Sequence, residues 1–331
     1  MALPLQFQKQ QPMRSVCYAL MPALIGSIYF FGWRSLAIVT ISVTFSVLTE
    51  WLFVRSKNGK ISEAAFVTGM LYGLILPPLL PFYMAALGAV FAITFGKMAF
   101  GGFGANIFNP AMVGRAFVYI TFPVHMTNQW IPASDGRSPG GFTQWIVGGA
   151  DALTAATASH AFESAGLSVL SLWQLFLGNI HGTFQQMGAI TSIGGGSIGE
   201  SSALLLMIGG AYLLYKKIAK WRLVAGFFGT YFIFQAILFY FDPNHALHPV
   251  YALFSGGIIL GGFFMVSDPV SAVKTVPAQW FYAGLIAVFA AIIRTYSLFA
   301  GGLMFAILLG NMFGPLIDVA VKKVQAPGGS R

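Results

Sequence analysis

The chain has 331 residues, 57% of them hydrophobic, 15% aromatic and only 8% charged, with 39 glycines and a net charge of +9; its mean hydropathy is +0.76. A soluble domain carries roughly 25% charged residues, so a cytosolic globular enzyme is excluded. Collagen and disulfide scaffolds are excluded too, because glycine has no three-residue period and Cys17 stands alone. The Lys and Arg residues punctuate apolar runs instead of gathering on one face among aromatics, which argues against nucleic acid as a partner.

A spanning helix needs about 20 mostly apolar residues. In chain order, candidate spans fall at 16–33, 35–54, 61–77, 81–100 and 107–123, and again at 202–216, 222–241, 249–266, 278–294 and 300–321. The polar lead with Lys9 and Arg14 reads as the approach to a span, without the features of a secretory signal. The expected fold is an all-α polytopic membrane protein of about ten transmembrane helices: a five-span repeat over 1–123, a loop over 124–201, a second repeat over 202–321 and a tail over 322–331. Basic residues in short loops stay on the cytoplasmic side. With the N-terminus inside, the inner side collects Lys9, Arg14, Arg55, Lys57, Lys60, Lys97, the cluster from Lys216 to Arg222, Lys274, Lys322, Lys323 and Arg331, leaving Arg34, Arg137 and Arg294 outside and Arg115 within a span. Five crossings before the loop turn the second repeat upside down relative to the first.

Few acids occur in so apolar a chain, and an acid at membrane depth usually faces a cavity, a partner or an ion path. Glu50 lies in the second span and Asp318 in the last, where Lys322 four residues on could form a plain helical pair; Glu63 sits beside Lys57 and Lys60. In the third span of each half, Phe66-Val67-Thr68-Gly69 leads to Pro77-Pro78, and Leu253-Phe254-Ser255-Gly256 leads to Asp268-Pro269. Both read as interrupted helices, whose freed backbone must be buried in protein or line a polar cavity.

The fifth span opens with Gly101-Gly102-Phe103-Gly104-Ala105-Asn106-Ile107-Phe108-Asn109-Pro110, a glycine loop leading into a proline-started helix whose positive end would face an anion or an electron-rich carbonyl. Asn109-Pro110-Ala111 is also a triplet of water channels, which use it twice; here the counterpart is Asp268-Pro269-Val270. The loop over 124–201 is too long for an ordinary connection and is expected to be functional. Gly194-Gly195-Gly196-Ser197-Ile198-Gly199-Glu200 lacks a βαβ frame and reads as a hinge before the sixth span, and His245 and His248 after Asp242 read as loop histidines without metal-ligand spacing.

Several of these segments together resemble the NqrB/RnfD family of membrane subunits in ion-translocating flavin redox complexes. They are residues 101–112, Gly196-Ser197-Ile198-Gly199-Glu200, Phe263 to Ala272 with Ser267-Asp268-Pro269, and Asn311-Met312-Phe313-Gly314-Pro315-Leu316-Ile317-Asp318. The family carries a flavin transfer signature, Asp-x-x-Ser/Thr-Gly-Ala-Thr, and Asp151-Ala152-Leu153-Thr154-Ala155-Ala156-Thr157 is similar to it, with Ala155 in place of glycine. The resemblance implies covalent FMN on Thr157, attached outside the cytoplasm by a flavin transferase. It also implies a second, non-covalent flavin, riboflavin, bordered by Asn106, Asn109 and Pro110. Thr68 and Gly69 with Ser267 and Asp268 would form matched broken helices, and Glu50 and Asp318 would be acids on the path of Na⁺ or H⁺. The implied function is that of one membrane component in a multi-subunit redox pump of a bacterial or archaeal inner membrane, beside a second FMN-bearing subunit on the outer side. The RnfD type, of a ferredoxin:NAD oxidoreductase, fits better than NqrB, of an NADH:quinone oxidoreductase. A small-solute channel built on inverted repeats is the rival, and flavin content separates the two.

Overall fold

In hydrocarbon every backbone N–H and C=O needs a partner within the chain, so uniformly apolar runs close into helices. The computed structural model describes residues 6–55, 59–127, 130–134, 138–147, 156–157, 170–181, 183–186, 189–297 and 301–325. The first half comprises α1 (Gln11–Phe31), α2 (Trp33–Arg55), α3 (Ala64–Leu74), α4 (Phe82–Gly96) and α5 (Pro110–Thr121). The second comprises α6 (Ala203–Tyr215), α7 (Trp221–Phe241), α8 (Pro249–Phe254), α9 (Val276–Tyr296) and α10 (Gly302–Gln325), with a short helical turn and a π-helical segment, Gly261–Met265, after α8. Two residues before α1, β1 (Phe7–Gln8), pair in parallel with β2 (Ile61–Ser62). Between the halves, β3 (Ala156–Thr157) and β4 (Thr183–Gln186) flank β5 (Ala189–Gly194).

Among the described residues six helices are long and apolar enough to cross a membrane: Gln11–Phe31, Trp33–Arg55, Phe82–Phe100, Trp221–Phe241, Val276–Tyr296 and Gly302–Gln325. The other four expected spans are shorter helical segments, and the sequence shows why. Pro77 and Pro78 follow α3, Asn109-Pro110 delays the start of α5, and Gly256, at φ +63°, stands where α8 gives way. The expected break at Thr68-Gly69 is corrected: α3 runs unbroken through both and stops early, at Leu74. The second-half break is real and falls at Ser255–Gly257.

Each early stop leaves carbonyls that a neighbouring segment takes up. The Gly199 and Ile198 N–H groups donate to the Leu74 and Leu76 carbonyls at 2.7 and 3.0 Å. The Arg34 guanidinium donates to the carbonyls of Pro78, Leu79 and Leu80. At the second break the Arg294 guanidinium donates to the Ser255 carbonyl at 2.9 Å. The stretch expected to be a hinge, 194–200, is therefore a cap that is mostly buried.

The halves repeat one packing pattern. In the first, α4 lies between α2 and α5; in the second, α9 lies between α7 and α10. They run in opposite senses, since α1 and α6 are antiparallel neighbours with Arg14 beside Lys216 at one end and Gly26 against Leu205 toward the other. Arg14 lies with Lys216 at one end of the bundle, where Lys220 donates to the Val273 carbonyl beside Lys274. A Cβ on Gly209 would overlap the Ala19 carbonyl oxygen, so only glycine lets α6 approach α1 this closely. Gly209→Leu should lower stability by about 1–3 kcal/mol through overpacking, whereas Gly229→Ala in α7, with open space around it, should be neutral or mildly stabilising. Thermal unfolding of the detergent-solubilised protein reads both.

Candidate functional site

Where the halves meet, polar side chains that the sequence separates widely come together. Asn109 caps α5: its side-chain oxygen accepts from the N–H groups of Ala111 and Met112, and Pro110 occupies the first turn. Its own N–H donates to Asn311 Oδ1 in α10 at 2.9 Å, and its Nδ2 reaches Asp268 Oδ2 at 3.4 Å. Asn311 in turn donates to the Tyr282 hydroxyl at 2.6 Å, and Asp268 is held by the Val270 N–H and the Ser271 hydroxyl. The helix start of one repeat is thereby tied to the break and last helix of the other.

Above these groups lies a cleft bordered by Thr68, Lys97, Asn106, Asn109, Pro110 and Asp268. Five of those six are residues that the sequence singled out. Thr68 presents itself from α3, and Asn106 is fixed by donation to the Phe108 carbonyl at 3.1 Å. Ser267, next to Asp268, is buried but hydrogen-bonds only to the Phe263 carbonyl of its own turn.

Glu50 adjoins this cleft without lining it. It is 2% exposed on α2, accepts from the Ser62 N–H at 2.9 Å and from Lys97 Nζ at 2.6 Å, and Lys97 also donates to the Ser62 hydroxyl. Asp318 is elsewhere. It accepts the N–H groups of Lys274 and Thr275 at 2.9 and 3.0 Å and the Thr275 hydroxyl at 2.7 Å, so it caps α9 from the neighbouring helix. Glu63 clamps the N-terminal segment through Arg14 and the Gln10 N–H.

A second cavity opens at the opposite end between α5, the 195–200 segment and the break after α8. Arg115 pairs with Glu200 at 3.2 Å with both side chains under a tenth exposed. Arg115 Nε and Trp130 Nε1 are buried there with no hydrogen-bond partner among the described residues. Unsatisfied buried donors are costly, and both side chains line this cavity. Thr157 lies close in the backbone: β3 pairs with β5 so that Thr157 stands opposite Gly194, next to the Gly195 and Gly196 of the cavity wall. Asp151 and Thr154 of the same signature lie outside the described residues.

Lys97, Arg115 and Glu200 were not singled out as site residues from sequence, although each carries a signal: a lone charge inside or beside an apolar run. Among the described residues there is no group of three or more His, Cys, Asp or Glu that could hold a metal ion. His245 binds the Asp242 carboxylate at 2.9 Å and holds that carboxyl below the usual carboxylate range, a local loop contact.

These features define a multi-pass membrane protein of two inverted helical units with a buried polar seam. The chain matches the model of the NQR2, RnfD, RnfE family over residues 5–326 and belongs to that family, as the residue resemblance implies. It is 31% identical to the D component of an ion-translocating oxidoreductase complex from Aliivibrio salmonicida, covering 95% of this chain and 93% of the relative. It is 36% identical to the same component from Alcanivorax borkumensis, over 92% and 89%. Similarity extends to the B component of a Na(+)-translocating NADH-quinone reductase from Yersinia pestis, 35% identical over 92% of this chain and 68% of the relative.

Removing one member of a buried ion pair leaves an uncompensated charge and costs about 3–5 kcal/mol, whereas removing both is often close to neutral. Lys97→Met should therefore destabilise the protein strongly and Glu50→Gln/Lys97→Met should recover most of the loss, read by thermal unfolding. Asp318→Ala, which strips the cap of α9, should cost about 1–2 kcal/mol in the same measurement.

Proposed function

We propose that this chain is a membrane component of an ion-translocating oxidoreductase complex, of the RnfD type found in ferredoxin:NAD oxidoreductases, and that it holds two flavins. Support for the type comes from its similarity to the D-component relatives across nearly all of both chains. Thr157 carries FMN through a phosphodiester in this reading, and the single observation that carries it is the strand pairing of Thr157 with Gly194, beside a cavity where Arg115 Nε and Trp130 Nε1 have no hydrogen-bond partner among the described residues. An isoalloxazine is planar and rich in acceptors, so two buried, unpaired donors suit it. Riboflavin belongs to the cleft at the seam, where Asn106 and Asn109 offer amide edges and the start of α5 offers a positive end.

Flavins supply the redox chemistry when bound; the protein sets their spacing, surroundings and coupling to ions. Arg115 and Glu200 order one wall of the outer cavity, and Asn109 and Asp268 order the seam. Glu50, with Thr68, Ser267 and Asp268 near the cleft, belongs in this reading to the path of Na⁺ or H⁺, as does Asp318, which also caps α9. In this reading the termini face the cytoplasm, the 124–201 loop lies outside, a flavin transferase modifies Thr157, and a second FMN-bearing subunit on the outer side delivers electrons. The comparable identity to the B component of an NADH-quinone reductase supports a second reading in which the assembly reduces quinone.

Peptide mass analysis of protein purified from its native membrane tests the reading. A Thr157 peptide carrying FMN less one water is expected, with ultraviolet fluorescence of the denatured band lost in Thr157→Ala. An unmodified Thr157 peptide from cells that contain the transferase would overturn it and favour the channel. Reduction of the flavins by ferredoxin, without quinone turnover driven by NADH, is the outcome expected for the RnfD type.

A further inference from the structure

Glu50 and Lys97 are both buried, with side chains 3% and 2% exposed, and Lys97 alone of the two also borders the cleft. The ammonium has three donors; two go to Glu50 Oε2 and the Ser62 hydroxyl, and it stands 5.8 Å from the centre of the Phe103 ring at the cleft edge. A lysine is a compact charge on a flexible four-carbon stem, so it can shift between acceptors without moving its helix. Glu50 is less free, because its Oε1 is fixed by the Ser62 N–H. If the ammonium leaves, Glu50 Oε2 and the Ser62 hydroxyl remain as two buried oxygens without their cation.

We propose that Lys97 is a positioning residue that reports charge in the cleft to Glu50. Negative charge arriving in the cleft draws the Lys97 ammonium off Glu50, and the vacated pair of oxygens accepts a small monovalent cation or a proton. With a metal cation no covalent bond changes; with a proton, one O–H bond forms on Glu50 Oε2 as one O–H bond of a hydronium ion breaks. The electron comes from the upstream flavin, the cleft gains one negative charge, and the incoming cation restores neutrality in a medium where an uncompensated charge is costly. The proposal rests on the reading of the cleft as a redox-cofactor site.

The test is reduction-induced infrared difference spectroscopy on the purified complex, with its non-covalent flavin released by denaturation and quantified on the same sample. A carboxylate signal on reduction is expected that vanishes in Glu50→Gln, vanishes in Lys97→Gln, and persists at a displaced frequency in Lys97→Arg. Wild-type complex with full flavin content and no Glu50 signal overturns the proposal alone. So does a signal unchanged in the lysine variants. Absence of non-covalent flavin from native wild-type complex overturns the cleft reading and the proposal with it. Where Lys97→Gln fails to assemble, the frequency in Lys97→Arg decides: displacement supports the coupling and an unchanged band refutes it.

Discussion

A charge buried inside a bundle that is itself surrounded by hydrocarbon has no water to fall back on, and the architecture follows from that constraint. Glu50 and Lys97 are paired between α2 and the end of α4, Arg115 and Glu200 at the second cavity, and Asn109 with Asp268 and Asn311 across the seam. Each pairing joins elements that are distant in sequence. The charged and amide side chains therefore do more than survive burial: they specify which helices are neighbours, something that interchangeable apolar faces cannot do.

The same logic governs the backbone. Short helices expose carbonyls at depth, and this chain answers with two arginines and a glycine-rich segment. Arg34 serves the turn after α3, Arg294 serves the break after α8, and Ile198 and Gly199 close the end of α3. One consequence is that the glycine-rich segment has two duties: it finishes a helix of the first repeat and forms part of the second cavity's wall. A small residue is needed because Leu74 crowds Gly199.

Much of this was legible in the sequence. Hydropathy marked the helical segments α1 to α10, though not the short helices Pro123–Thr127 and Leu172–Leu177, and the residues around Asn109 and Asp268 stood out as candidates without knowledge of their contact. The rest was hidden for physical reasons. Close packing of Gly69 against the Val43 backbone of α2 holds α3 helical through Thr68-Gly69 despite poor intrinsic propensity, so a small hydroxyl-glycine pair alone does not break a helix, whereas the positive φ at Gly256 accompanies a real break. Asp318 was legible as an acid in a span, but its partner, the start of α9, is forty-odd residues away and was invisible. Lys97 read as one more basic residue of an inner loop, because burial and pairing are tertiary facts. For Thr157 only the backbone bears on the matter, and Asp151 to Ala155 of its signature lie outside the described residues.

Helix α5 links the two cavities. Its first turn belongs to the cleft and Arg115 belongs to the second cavity, so only about five residues, or roughly 7.5 Å of helix rise, lie between them. Met112, Leu260, Phe264 and Met265 fill that interval and are almost wholly buried. The cleft and the second cavity are thus separated by a thin, apolar waist. Where polar space approaches from both faces, a transmembrane voltage drops mostly across the waist and little across the remaining thickness. A charge displaced by a few ångströms at this level senses a large share of the membrane potential.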